Sequence, residues 1–331
     1  MNKKIDYFSI IKEAIEITKN NRVLWWFGFL SIFAGMGSSF NSNFSGNSSD
    51  KNSLDEMEYA SLFRKVSFYW ENYAEWIILG IILIMVVCVG LFIIGLIGKS
   101  ALIDSIVKVI KNEQVTFVDG FKRGVSFLKR IFLMSLLFVV TFLIFIFLVI
   151  FPVVRLFILK SYGIAIFLGL VGLMLILFVS ILYFYLLRYA QIYLISSNLG
   201  VVESIKLAYR LFEKNMKESL IMGLVMIAVS FVLGIGIFLI VLAIFIPGGI
   251  LGVFVYKTMS DLALIVLGIL AGLLILGIFI FISSVLNVFS QTVWILFFNQ
   301  IAKQEEKRDG LETEKEATKI IEGTEVEPNI S

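Results

Sequence analysis

Apolar residues gather along the chain into six runs, at about 23–40, 76–98, 131–154, 162–187, 219–246 and 262–298, with polar stretches between them. A bilayer core of ~30 Å takes roughly 20 helical residues. Each run therefore predicts a membrane-spanning helix, the first being the shortest and ending on Gly35 and Gly37. The expected fold is all-α, a six-span transmembrane helical bundle over residues 1–302, followed by a charged tail at 303–331.

The polar segments carry a repeat. Three short amphipathic stretches precede the odd-numbered runs and align without gaps: Ile11-Lys12-Glu13-Ala14-Ile15-Glu16-Ile17, Phe121-Lys122-Arg123-Gly124-Val125-Ser126-Phe127 and Ile205-Lys206-Leu207-Ala208-Tyr209-Arg210-Leu211. Each reads apolar, Lys, variable, small, apolar, polar, apolar. Phe8, Val118 and Val202 stand three residues earlier and extend the apolar face. A cationic helix of this kind beside a span is expected at the headgroup level, its Lys side chains snorkelling toward anionic lipid, with the small residue allowing close contact with a neighbouring helix. An ordinary linker helix packed under the bundle has the same pattern and the same place. The even-numbered runs continue as helix-compatible sequence from Trp76 to Asn112, Tyr162 to Asn198 and Leu262 to Phe298. Their last parts share a pattern, Tyr189-Ala190-Gln191-Ile192 beside Phe289-Ser290-Gln291-Thr292. The bundle is thus expected to consist of three repeats, each an interfacial amphipathic helix plus a two-span hairpin. Pro152 and Pro247 fit the alignment poorly, since they lie at different offsets from Lys122 and Lys206.

Charge adds orientation. Of 28 Lys and Arg residues, 22 fall in segments 1–22, 99–130, 188–218 and 303–331, and the other six fall in the segments between. By the positive-inside rule this alternation predicts a multi-pass protein of the cell membrane with both termini cytoplasmic, and no basic residue at mid-membrane. Composition agrees, with 59% hydrophobic residues, 16% charged and a mean hydropathy of +0.97. Those values exclude an ordinary soluble fold. A signal peptide is the competing reading of the first run, but its place in the first repeat argues that it is retained.

The segment from Asn41 to Ser53 reads as a flexible linker. Leu62, Val66, Tyr69, Tyr73 and Trp76 then recur at helical spacing, as interfacial anchors or, less simply, with Trp70 as ligand contacts. The Glu- and Lys-rich tail from Lys303 is expected to be disordered.

Chemistry is sparse. The chain has no His and one Cys, which removes the commonest general base and metal ligand and leaves no expected cofactor, metal or catalytic residue. Cys88 lies in an apolar run and is expected to be a buried, inert thiol. No phosphate-binding loop, dinucleotide fingerprint or nucleophile elbow is present, and Gly234-Ile235-Gly236 falls within a span. Asp104, Asp119 and Glu203 each have Lys or Arg nearby, so solvated pairing is their ordinary use, and a membrane-embedded lipid hydrolase is a remote alternative. Ser283, Asn287 and Gln291 share one face of the last helix. They line a polar cavity or form helix-to-helix hydrogen bonds. Gly268 and Gly272 predict a packing face.

The segments Ile11-Lys12-Glu13-Ala14, Lys19-Asn20-Asn21, Leu24-Trp25-Trp26-Phe27-Gly28 and Gly200-Val201-Val202-Glu203-Ser204-Ile205 resemble those of uncharacterised bacterial polytopic proteins similar to the glycerophosphoryl diester phosphodiesterase membrane domain family. The likeness covers most of residues 5–302 and concerns the membrane region alone. In that family the name comes from multidomain proteins with a separate soluble phosphodiesterase, for which no inter-span segment here has room. No catalytic residue is carried over.

The expected role is a non-enzymatic scaffold or modulator of the membrane that contacts anionic lipid through Lys12, Lys122 and Lys206. Membrane lipids are its expected partners, with other membrane proteins or further copies of itself possible and nucleic acid not called for. The alternative is a transporter or permease for a small or lipid-like substrate, with Ser283, Asn287 and Gln291 lining its path.

Overall fold

A computed structural model describes residues 5–39, 56–258 and 261–324. Among these the chain forms eight helices and no strand: α1 (Tyr7–Asn20), α2 (Val23–Ser39), α3 (Glu56–Ile110), α4 (Phe117–Ile158), α5 (Tyr162–Ser196), α6 (Val201–Lys214), α7 (Met216–Thr258) and α8 (Asp261–Thr324). Five helical stretches are long and apolar enough to cross a membrane: Tyr73–Ile110, Phe117–Ile158, Tyr162–Ser196, Met216–Ala243 and Val266–Lys307. That is the make-up of a multi-pass membrane protein.

The count differs from the six spans expected. The run at 23–40 is the exception, because α2 has 17 residues and its apolar stretch, Val23–Ala34, is shorter still. At 1.5 Å per residue α2 reaches roughly 26 Å, just under the ~30 Å hydrocarbon core. The other five lie where the hydropathy places them, and the three ending at or before Ser196 run further, reaching roughly 52 to 63 Å. Pro152 is accommodated inside α4, which continues to Ile158. Helix α8 continues to Thr324, through most of the segment whose composition predicts a disordered tail. The expected linker from Asn41 to Ser53 lies outside the described residues, as do the side chains of Leu62, Val66 and Tyr69. Trp70, Tyr73 and Trp76 are exposed, and α3 kinks at Tyr73 (φ −132°, ψ 16°).

Local sequence sets the helix ends. Asp6 caps α1 by accepting from the Phe8 and Ser9 amides at 3.1 Å. Thr116 caps α4, accepting from the Asp119 amide at 3.3 Å while its hydroxyl donates to the Asp119 carboxylate at 2.5 Å, a reciprocal arrangement that satisfies orphan groups of the first turn. Just past the ends of α3 and α5 stand Asn112 (φ 61°) and Asn198 (φ 52°), in the left-handed region that Asn tolerates better than most side chains. Asn21 closes α1 on the Ile17 carbonyl, and the Trp25 indole reaches back from α2 to the Thr18 carbonyl at 2.8 Å.

The core sits at one end of the bundle, where the last parts of α3 and α5 and the middle of α8 touch one another. Ile103, Ile106, Tyr189, Ile192, Val293 and Phe297 are fully enclosed there. Helix α2 packs against α3 and α8. Its seam with α3 needs small residues, since a Cβ on Gly98 would meet Leu30 at 2.5 Å and one on Gly95 would strike the backbone of Phe33 and Ala34. Toward the other end, α3, α4, α5, α7 and the first part of α8 carry exposed Leu, Ile, Val and Phe, as expected where lipid is the solvent. Cys88, on α3, is exposed too and is not buried as the sequence predicts. Its neighbours Val87 and Val89 are exposed as well.

Candidate functional site

Three segments meet the core end from outside. Helix α1 packs on α8, the first turns of α4 pack on α3, and α6 packs on α5. In each, the small residue is buried, as Ala14, Gly124 and Ala208 are, and a Cβ on Gly124 would come within 2.5 Å of the Ile97 carbonyl oxygen. The side away from the core has one composition throughout. Phe8, Lys12 and Ile15 on α1, Val118, Lys122 and Val125 on α4, and Val202, Lys206 and Tyr209 on α6 are all exposed. The spacing of four and then three places each trio on one face. Phe8, Val118 and Val202 are the most exposed apolar members, so they belong to this outer stripe and not to the buried side.

The acidic residues weighed as catalytic do not converge. Asp104 is buried and paired with Lys108 at 3.0 Å and Arg123 at 3.6 Å. Asp119 is engaged with Thr116 in the α4 cap. Glu203 lies exposed in the first turn of α6. Beside Asp104 lies a polar cleft of about 440 Å³, where Lys108, Lys111, Arg123 and Arg130 outnumber Asp104 and Glu113. Arg130 crosses it to donate to the Asn198 side chain at 2.7 Å. On α1, burial and secondarily the Glu218 carboxylate hold the Tyr7 phenol above its usual range, so it stays neutral against Phe297.

The polar face of α8 is occupied in packing. Asn287 donates to Ser31 at 2.6 Å and Ser284 donates to the Trp25 carbonyl at 2.5 Å, both on α2. Gln291 is buried at the core end, while Ser283 is half-buried between these and the apolar part of the helix. Gly268 and Gly272, expected as a packing face, have nothing within 4 Å of where a Cβ would stand.

One group escaped the sequence reading. Arg188 and Lys99, counted there among charges outside the spans, lie inside the long apolar helices α5 and α3. The Arg188 guanidinium rests over the Phe184 and Trp294 rings at 5.0 and 4.9 Å, and its Nη1 is buried without a hydrogen-bond acceptor. It stands in the wall of a groove of about 660 Å³ between α5, α7 and α8. A signal for it was present, since Arg188 sits between Tyr185 and Tyr189 and only Gln191 interrupts the apolar and aromatic residues from there to Ser196.

Residues 9–304 match the model of a family described only as one of unknown function. The match carries no link to the glycerophosphoryl diester phosphodiesterase membrane domain. No curated protein and no solved structure matches the chain.

Proposed function

Since the chain belongs to DUF7544, a family of unknown function, we propose that it is a non-enzymatic integral membrane protein that scaffolds or modulates other membrane components while holding anionic lipid along one face. The observation that carries this reading is the trio of matching stripes. At each, a lysine stands between two exposed apolar residues on a helix whose small residue is pressed into the core. Apolar flanks favour the acyl boundary, and the ammonium reaches from it to phosphate, a combination suited to the headgroup layer.

Our reading of the architecture is threefold. Helices α1 to α3, α4 with α5, and α6 to α8 form three units. Each interfacial segment leans on the long helix of the unit before it, and α1 leans on α8 to close the order. Helix α2, sheltered between α3 and α8, serves as a sixth crossing despite its length. The basic face is cytoplasmic, with both termini on that side of the cell membrane, as the distribution of Lys and Arg favours. The likeness to the phosphodiesterase membrane domain supplies no catalytic residue, so that chemistry forms no part of the proposal.

The test is reconstitution of the full chain into nanodiscs of phosphatidylcholine alone or with phosphatidylglycerol. Thermal unfolding should move upward with the anionic lipid, and combined Lys12→Glu, Lys122→Glu and Lys206→Glu should abolish most of that gain. Each lysine is worth about 1 kcal/mol near an anionic surface. A variant that kept the full gain would refute lipid contact through these lysines.

A further inference from the structure

We propose that the groove between α5, α7 and α8 is a binding site for one anionic phospholipid, its phosphate held at Arg188 and an acyl chain lying along the groove. This goes beyond the general contact of the lysine stripes and uses different residues.

Three observations carry it. The groove is mainly apolar, with Leu177 and Ile181 on α5 and Leu224 and Ile227 on α7 in its walls beside Ser230 and Ser180, whose hydroxyl donates to the Ile176 carbonyl at 2.7 Å, and α7 barely closes on its neighbours there. Its contacts with α5 are at its start, where Tyr189 donates to Ser219 at 2.9 Å and Gly223 lies under the Tyr185 hydroxyl. Beyond Met226 most described α7 side chains are exposed.

The one charged group lining the groove among the described residues stands at one end. Arg188 stands at the end near the core, and Ser290 of α8 lines the same groove. From Arg188 to Leu177 the helix rises roughly 16 Å, about the depth of one leaflet of a ~30 Å hydrocarbon core. A phospholipid with its phosphate beside Arg188 thus has its chain directed along the apolar walls.

Charge gives the sign of the occupant. Among the described residues no carboxylate pairs with Arg188. A guanidinium inside a long apolar helix, with a buried N–H left unsatisfied, is costly unless an anion joins it. A phosphate is a natural partner for guanidinium, accepting from its fork of donors while the aromatic rings fix the plane.

The experiment uses the full chain in detergent with a phosphatidylglycerol probe bearing a photoreactive diazirine in its acyl chain, followed by peptide mapping. Label should appear on 177–188 of α5 and 220–227 of α7. A phosphatidylcholine probe should label these at least tenfold less, and excess inorganic phosphate should leave the label in place. Arg188→Gln should reduce labelling at least tenfold. Leu224→Trp with Ile227→Trp, which fills the groove from exposed positions and leaves the guanidinium alone, should do the same. The Lys12, Lys122 and Lys206 glutamate variant should keep the label, so failure here and failure of the lysine contacts are distinguishable. Equal labelling by phosphatidylcholine, displacement by inorganic phosphate alone, or retention of label in the filled-groove variant would overturn the assignment.

Discussion

The Asn287 side-chain amide donates to the Ser31 hydroxyl at 2.6 Å, and Ser31 donates in turn to the Gly28 carbonyl at 2.9 Å. Helix α8 is thereby tied to the shortest apolar helix of the bundle at a place where Gly28 lets the two backbones approach, since a Cβ there would meet the Ser284 carbonyl oxygen at 2.6 Å. Interhelical hydrogen bonds among apolar surroundings are worth about 1 kcal/mol. Asn287→Leu should therefore lower the thermal midpoint measurably in detergent, whereas a cavity-lining role would leave stability unchanged and alter flux in proteoliposomes.

The seam between α2 and α3 gives a sharper contrast between glycines. Gly98→Leu places side-chain atoms where Leu30 and the Ser31 amide already stand, and overpacking of this kind costs typically 1–3 kcal/mol or more. Gly268→Leu and Gly272→Leu meet open space. Expression and size-exclusion profiles should suffer with the first substitution and stay normal with the other two. A loss of dimer in the latter pair would show that those glycines serve self-association.

Among the described residues a buried hydroxyl pair, Tyr189 with Ser219, ties α5 to α7. Tyr189→Phe removes the bond to Ser219, which is worth about 0.5–1.5 kcal/mol net. Hydrogen exchange should speed up over the first turns of α7 and remain unchanged in the last turns of α3. Uniform acceleration would mean that the bond supports the whole core.

The spans were legible because length and hydropathy alone decide whether a helix suits a bilayer, and five of six stand where the pattern puts them. The three small residues Ala14, Gly124 and Ala208 were legible because their position relative to Lys recurs. What the sequence hides is the partner of each surface. A Gly-xxx-Gly pair reads the same whether it meets a helix or nothing, so the sequence does not tell that Gly268 and Gly272 meet no other part of this chain while Gly95 and Gly98 meet α2. Likewise Phe8, Val118 and Val202 fit an apolar face equally well inward or outward. Arg188 was hidden for another reason: hydropathy does not tell where a helix longer than the bilayer leaves it, so a charge near its end looks like a loop charge. The tail composition, rich in Glu and Lys, is compatible with helix as well as coil, and α8 takes the helix to Thr324.

The central claim is that Lys12, Lys122 and Lys206 lie at one membrane interface, on the cytoplasmic side. With Cys88→Ser removing the native thiol, Lys12→Cys, Lys122→Cys and Lys206→Cys can each be probed with a membrane-impermeant maleimide. All three should be protected in intact cells and labelled in inverted vesicles. Labelling of any one from the outside of intact cells would contradict the account.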